Sequence, residues 1–315
     1  MEKNNHFDLI SYLELRTQRI EKILETYFPK AKGYEERVIS ASKYSLLAGG
    51  KRFRPILCLA GCEVVGGDWE RILLFAAGLE CLHTYSLIHD DLPCMDDDDL
   101  RRGKPSCHKA FDPATAILAG DGLQALAFEF FTHPELVKKV NKTRLLKAIY
   151  WVSKAIGLRG MVGGQMVDLL MEGKKGNPKV LKWIHLHKTV CFMEASLLSG
   201  ALLGGAQSKE LRVLSSYGKN LGFAFQIVDD LLDIIGDEKK IGKKTFSDVK
   251  KQKLTYPALF GLEKTKALAS KHIQKAIESL KFFGNRGEPL KALANFIINR
   301  ISTSSKSIQN EQVSL

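Results

Sequence analysis

The segment His89 to Gly103 reads HDDLPCMDDDDLRRG and sets Asp90, Asp91, Asp96, Asp97, Asp98 and Asp99 within ten residues, followed at once by Arg101 and Arg102. At an effective dielectric of about 20, two carboxylates roughly 5 Å apart repel by about 3 kcal/mol, so such a cluster needs cations or full solvation. The residues entering it are apolar (Cys81, Leu82, Tyr85, Leu87, Ile88), which places the acids at the mouth of a buried cavity rather than in a solvated loop. Hard oxygen donors without thiolates or a histidine cage suit Mg²⁺, which takes one or two protein carboxylates and completes its shell with water and a ligand's phosphates. The two arginines supply forked donors for the remaining phosphate oxygens.

A second acidic set occurs in Phe225-Gln226-Ile227-Val228-Asp229-Asp230-Leu231-Leu232-Asp233. On a helix Asp229 and Asp233 lie one turn apart on one face, with Gln226 three residues back on the same face. The neighbours are apolar almost all round, so the helix is expected to be buried. Buried carboxylates without partners are very costly, so a metal or a set of cations must face them. Lys243 and Lys244 follow across a glycine-flanked turn.

Three further stretches carry charge or unusual backbone. Gly49-Gly50 ends one apolar pattern and leads into Lys51-Arg52-Phe53-Arg54-Pro55, three cations at the start of the next helix, whose first turn Pro55 fits. GLRGMVGGQMVDLLME (157–172) tolerates Gly160, Gly163 and Gly164 at about 1 kcal/mol each relative to Ala, which points to close approach of backbone to backbone or to a ligand. Within it Gln165 and Asp168 share a face. His187-Lys188-Thr189 places a cation and a hydroxyl before another apolar helix.

The elements positioning these residues read as helices throughout. Apolar residues recur at threes and fours over Phe7–Phe28, Val38–Leu47, Ile56–Val65, Trp69–His89 and Pro113–Phe131, while no useful run alternates strictly. The expected fold is all-α, one domain over residues 1–315 with ten or more helices around a central apolar cavity. The net charge of +12 is concentrated after Gly236, where 16 Lys and Arg face 7 Asp and Glu, giving +9. No nucleic-acid motif accompanies that excess, so nucleic acid is not an expected partner. The six cysteines form no C-x-x-C pair, the N-terminus has no apolar h-region, and the apolar stretch Ala195–Ala206 is too short to span a bilayer. A cytoplasmic protein with reduced thiols and no transmembrane segment is the expectation.

The motifs GGKRFRP, HDDLPCMDDDDLRRG, GMVGGQ, HKT, FQIVDDLLDIIGD, GKK and TYPAL, in that order, resemble those of the trans-isoprenyl diphosphate synthases (polyprenyl synthetases) over about Tyr44 to Gly261. The likeness is strongest to the bacterial short-chain farnesyl diphosphate synthases. It implies that Asp90, Asp91 and Asp96, with Asp229, Asp230 and Asp233, hold two to three Mg²⁺ per site, Mn²⁺ being a substitute. It implies that Arg101, Lys188 and Lys243 grip an allylic diphosphate, with Thr189 and Gln226 lining its site. Lys51, Arg54, His83 and Arg102 match residues that bind isopentenyl diphosphate. Of these, Asp90, Asp91, Lys188, Asp229 and Lys243 would be the catalytic set, and a homodimer is expected.

The implied reaction ionises the allylic diphosphate, and the double bond of isopentenyl diphosphate attacks the resulting carbocation. The released diphosphate takes the proton. Tyr85 and Ser86, five and four residues before Asp90, match the family's chain-length floor, roughly 7 to 8 Å below Asp90 for Tyr85. An aromatic ring there implies a C15 product, farnesyl diphosphate, as formed by a geranyltranstransferase. The two extra residues in DDLPCMD also occur in geranylgeranyl diphosphate synthases, so C20 is the alternative. Val190 stands where the family usually has Gly and is expected to crowd Thr189. A terpene cyclase would carry a different second metal motif, and a non-catalytic prenyl synthase subunit would have lost aspartates or the basic turn.

Overall fold

The computed structural model of the chain describes residues 7–236 and 251–312, with side chains to residue 301. The expected helices form with shifts of a few residues. Helix α1 (Leu9–Tyr27) starts where the Asp8 carboxylate accepts from the amides of Ile10 and Ser11, and it stops before Pro29. Helices α2 (Glu36–Leu46) and α3 (Phe53–Val64) flank the double-glycine turn, and α4 (Leu73–Asp90) enters from a 3₁₀ turn at Trp69–Ile72. Two-residue strands, β1 (Leu100–Arg101) and β2 (Lys104–Pro105), pair antiparallel and close the loop after the first acidic cluster. A one-turn helix α5 (Cys107–Ala110) leads to α6 (Pro113–Thr132), capped by the Asp112 carboxylate.

After α7 (Pro134–Val137) come α8 (Lys142–Ile156), α9 (Met161–Met171) and α10 (Pro178–His185). A π-helical turn, Leu186–Val190, joins α10 to α11 (Cys191–Gly204). Helix α12 runs 28 residues from Ser208 to Ile235, started by a reciprocal Gln207–Glu210 capping box. The helices Tyr256–Phe260, Leu262–Ser279 and Glu288–Gln312 complete the fold. All-α architecture with more than ten helices is what the periodicity led us to expect.

Packing centres on α4 and on the α3–α11 pair. Trp69–Asp90 is long and apolar enough to cross a membrane by length and composition, but it is mostly buried inside the fold. It is the central core helix, covered by α6 and flanked by α3 and α1. Helices α3 and α11 lie backbone against backbone: a Cβ on Gly200 would stand 1.8 Å from the Cys58 carbonyl oxygen. Gly122 on α6 is the opposite case, exposed and with nothing within 4 Å of such a Cβ.

These two glycines give opposite expectations. Gly200→Ala should destabilise by about 1–3 kcal/mol or more, because backbone must shift, whereas Gly122→Ala should stabilise by about 1 kcal/mol through helix propensity. Urea midpoints of the two variants check this; equal shifts would contradict the packing described.

Candidate active site

The first acidic cluster is a compact turn at the C-terminus of α4. The amide of Asp96 donates to the Asp90 carbonyl (2.8 Å) and that of Asp97 to the Leu92 carbonyl (3.0 Å), which folds the loop back on the helix end. Arg101 on β1 forks onto Asp91, its Nε 3.0 and 3.1 Å from the two carboxylate oxygens, and its Nη2 reaches Asp98 (3.0 Å). Asp91 is buried and wholly engaged there. Two lysines arrive from far along the chain: Lys253 Nζ donates to Asp96 (2.8 Å), and Lys251 Nζ reaches the Asp96 carbonyl and the Asp98 carboxylate. No described residue bonds the carboxylate of Asp90. Burial raises its pKa, Lys188 pulls it down and Asp96 adds to the rise.

The second cluster divides along α12. Asp229 lines the same cavity as Asp90, with Arg300 Nη2 at 3.6 Å. Asp230 is turned into the protein, where it accepts from the Tyr256 amide (3.0 Å) and the Gln226 side chain (3.0 Å). Asp233 is 2% exposed. Gln226 in turn accepts from the Thr189 hydroxyl (2.8 Å), tying α12 to the π-helical turn. Asp91, Asp96, Asp230 and Asp233 are not among the cavity-lining residues.

Helix α9 explains its glycines. A Cβ on Gly164 would stand 2.3 Å from the Lys188 amide nitrogen, so the helix rests directly on the backbone of the π-helical turn. That approach brings Asp168 to Lys188, with Nζ 2.6 Å from Oδ2. Burial alone would lower the Lys188 pKa, but Asp168, Asp90 and Asp96 raise it, so this ammonium stays charged. Gln165, on the same face, is buried, lines the cavity, and its amide bonds no described residue. Val190 packs on Gly222 of α12, where a Cβ would come within 3.0 Å of Val190 Cα.

At the other end of the cavity the basic turn gathers. Arg54 donates to His83 Nδ1 (3.1 Å), which fixes that nitrogen as the acceptor and leaves Nε2 carrying the proton. Burial and then Arg54 hold His83 well below its ordinary pKa, so it is a neutral donor. Burial likewise brings Arg54 down to about 10. Lys51 lies over the Phe296 ring (5.4 Å) and Arg102 turns inward to Glu80 (3.1 Å). His83 and Asp90 are seven residues apart on α4, about 10 Å along its axis.

One cavity of about 970 Å³ takes in both ends. It is lined by Lys51, Arg54, His83, Tyr85, Ser86, Asp90, Arg101, Arg102, Lys188, Thr189, Gln226 and Asp229, which covers most of the residues singled out from sequence. Lys243 lies outside the described residues. Lys251, Lys253, Glu80 and Arg300 were not anticipated; only their lysine-rich or helical context was visible, because each acts across a long sequence separation. Among the described residues no three His, Cys, Asp or Glu side chains converge on one point. Asp90 and Asp229 offer the cavity hard oxygen donors, a set that fits a hard cation bound by one or two carboxylates and completed by a ligand's oxygens.

The polyprenyl synthetase family profile matches residues 35–287. A geranylgeranyl diphosphate synthase of Cyanophora paradoxa is 46% identical over 296 residues, covering 94% of this chain and 97% of its own. The apo structure of an FPP/GFPP synthase from Zymomonas mobilis superposes with a TM-score of 0.81 at 36% identity, over 92% of this chain and 98% of its own. A geranyltransferase from Helicobacter pylori, complexed with magnesium and isoprenyl diphosphate, gives a TM-score of 0.83 at 30% identity, over 96% of this chain and the whole of its own.

Behind Asp230, His185 is 4% exposed, with Nε2 3.7 Å from the carboxylate. Burial pushes its pKa from 6.5 down to about 3. The unfolded chain therefore takes up the proton first as pH falls, and stability complete above pH 6.5 is lost toward pH 3. Between pH 6.5 and 5 that amounts to about 2 kcal/mol. In urea titrations, His185→Gln should lose about 2 kcal/mol less than wild type between pH 7 and pH 5; an identical loss would mean that His185 is not held neutral.

Proposed function

The chain belongs to the polyprenyl synthetase family and is a trans-prenyltransferase; on that premise we propose that it is a geranylgeranyl diphosphate synthase, adding isopentenyl diphosphate head-to-tail (1'-4) to dimethylallyl, geranyl and farnesyl diphosphates. The observation that carries the reading is a single cavity with an acidic pole at Asp90 and Asp229 and a basic pole at Lys51, Arg54, His83 and Arg102. Two diphosphates need two such anchors, one through metal and one through guanidinium and ammonium groups.

Asp90 and Asp229, which line the cavity, are the carboxylates we assign to Mg²⁺, with Asp96 beside them in the grip of Lys253, two to three ions per site with Mn²⁺ as a substitute. When bound, the metal neutralises charge on the leaving diphosphate as a Lewis acid. Asp91, Asp230 and Asp233 support the site from behind, Asp91 by orienting Arg101 and Asp230 by orienting Gln226. Lys188, kept charged by Asp168, and Arg101 donate to the same leaving oxygens, with Thr189 and Gln226 beside them; Lys243 is assigned to this set. Such fixed donors act where negative charge grows as the carbon–oxygen bond breaks. The basic pole holds isopentenyl diphosphate so that its double bond meets the allylic carbon. Met161, Leu169, Phe225 and Leu232 line the cavity between and exclude water that would quench a carbocation.

Product length is where this reading departs from the farnesyl expectation. Tyr85 does lie in the cavity wall, its hydroxyl buried and bonding no described residue, but Ser86 beside it is small. The wall also includes Val162 and Met166 of α9, and a methionine adapts to a longer chain. The geranylgeranyl name of the 46%-identical relative supports C20. A homodimer, as the family resemblance implies, is part of the proposal. A single domain over residues 1–315 belongs to it too.

Labelled isopentenyl diphosphate offered with each of three primers tests this directly. All three should be carried to C20, with no turnover in EDTA and recovery on adding Mg²⁺; accumulation of C15 and refusal of farnesyl diphosphate would restore the shorter product. Tyr85→Ala should extend the chain beyond the wild-type length, and an unchanged product would place the floor elsewhere.

A further inference from the structure

A buried carboxylate that the reaction does not use sits behind the basic pole. Glu80 of α4 is fully buried, and its Oε1 accepts from two guanidiniums, Arg52 Nη1 (2.8 Å) and Arg102 Nη2 (3.1 Å). These arginines come from segments fifty residues apart in sequence: Arg52 from the turn before α3, Arg102 from the hairpin after the first acidic cluster. Arg102 also donates to the Gly49 carbonyl, and its guanidinium lies where a Cβ on Gly50 would stand, 2.8 Å from Cζ. Both arginines adopt left-handed backbone conformations, φ 45° and 54°. Such conformations persist in non-glycine residues where their surroundings over-determine them. Arg52 itself is 2% exposed and extends outward to Glu21 of α1 (3.5 Å).

We infer that Glu80 is a positioning residue for isopentenyl diphosphate: from the core it locks Arg102, and through Arg52 the Gly49–Arg54 turn, into one constellation. This rests on the reading of Lys51, Arg54, His83 and Arg102 as the isopentenyl pole. Lys51 and Arg54 flank Arg52 in sequence, on either side of the residue Glu80 holds. A charge-only view gives Glu80 the opposite effect. One negative charge among Arg52, Arg54 and Arg102 weakens attraction for a diphosphate, so its removal would tighten binding. A positioning role requires that removal loosen it.

Glu80→Gln separates the two views, because it keeps the shape and one acceptor while removing the charge. Loss of charge-assisted hydrogen bonds to two arginines should raise KM for isopentenyl diphosphate about tenfold. The KM for the allylic primer and kcat at saturating isopentenyl diphosphate should stay within about twofold. An unchanged or lower KM for isopentenyl diphosphate overturns the positioning role, as does an equal rise for both substrates. Should Glu80→Gln fail to fold, judged by its thermal transition, the paired Glu80→Met/Arg52→Met variant removes both charges together, and the same selective rise in KM is expected of it. Lys51→Ala guards the premise: if that variant leaves the isopentenyl KM unchanged, the pole has been misassigned; if it raises KM while Glu80→Gln does not, only the role of Glu80 fails.

Discussion

Everything at this site follows from the cost of gathering carboxylates beside an apolar cavity. Unscreened, each close pair would repel by several kcal/mol, and burial makes the charged form costlier still. The fold answers by setting a cation against each. Arg101 takes Asp91, Lys253 takes Asp96, Lys188 takes Asp168, and Arg300 approaches Asp229. Asp90 has no described hydrogen-bond partner at the centre; burial raises its pKa, and Lys188 offsets part of that rise. An acid held in that condition is poised for a cation that arrives with its own anionic ligand.

Those pairings also explain why backbones approach so closely. Lys188 reaches Asp168 because Gly164 lets α9 rest on the turn that carries the lysine. That turn is π-helical, one residue wider than the surrounding α-helix, a feature that recurs at functional sites. Val190 is tolerated beside Thr189 because Gly222 on the facing helix yields the space. A residue that looks anomalous when the chain is read linearly is thus matched by a second one thirty-two positions later.

The helices and both acidic clusters were legible because their signals are local: apolar recurrence at threes and fours, and charge density within ten residues. Among the glycines of 157–172, Gly164 meets the backbone of Lys188, whereas Gly160 and Gly163 meet carbonyls of the turn just before them; the sequence spoke of close approach without separating these cases or naming the partner. What stayed hidden depends on long separations. Nothing near Lys253 marks it as a partner for Asp96, and Glu80 reads as an ordinary charged residue within an apolar helix until Arg52 and Arg102 are seen around it. The different surroundings within each Asp-Asp pair were also invisible: spacing places both residues at the site, and in the fold Asp90 and Asp229 line the cavity while Asp91 bonds Arg101 and Asp230 bonds Gln226 and the Tyr256 amide. Tyr85 illustrates a different gap: its position is local, but the cavity wall it belongs to is shared with α9, so one ring does not fix the product.

The central claim is that Asp90 and Asp229 act from one cavity on one leaving diphosphate. Steady-state turnover of Asp90→Asn at saturating substrates and Mg²⁺, with its unfolding midpoint measured alongside, tests it most directly. The account predicts a fall in kcat of about a hundredfold or more with a midpoint close to that of the wild type. Turnover within a few-fold of wild type would contradict it.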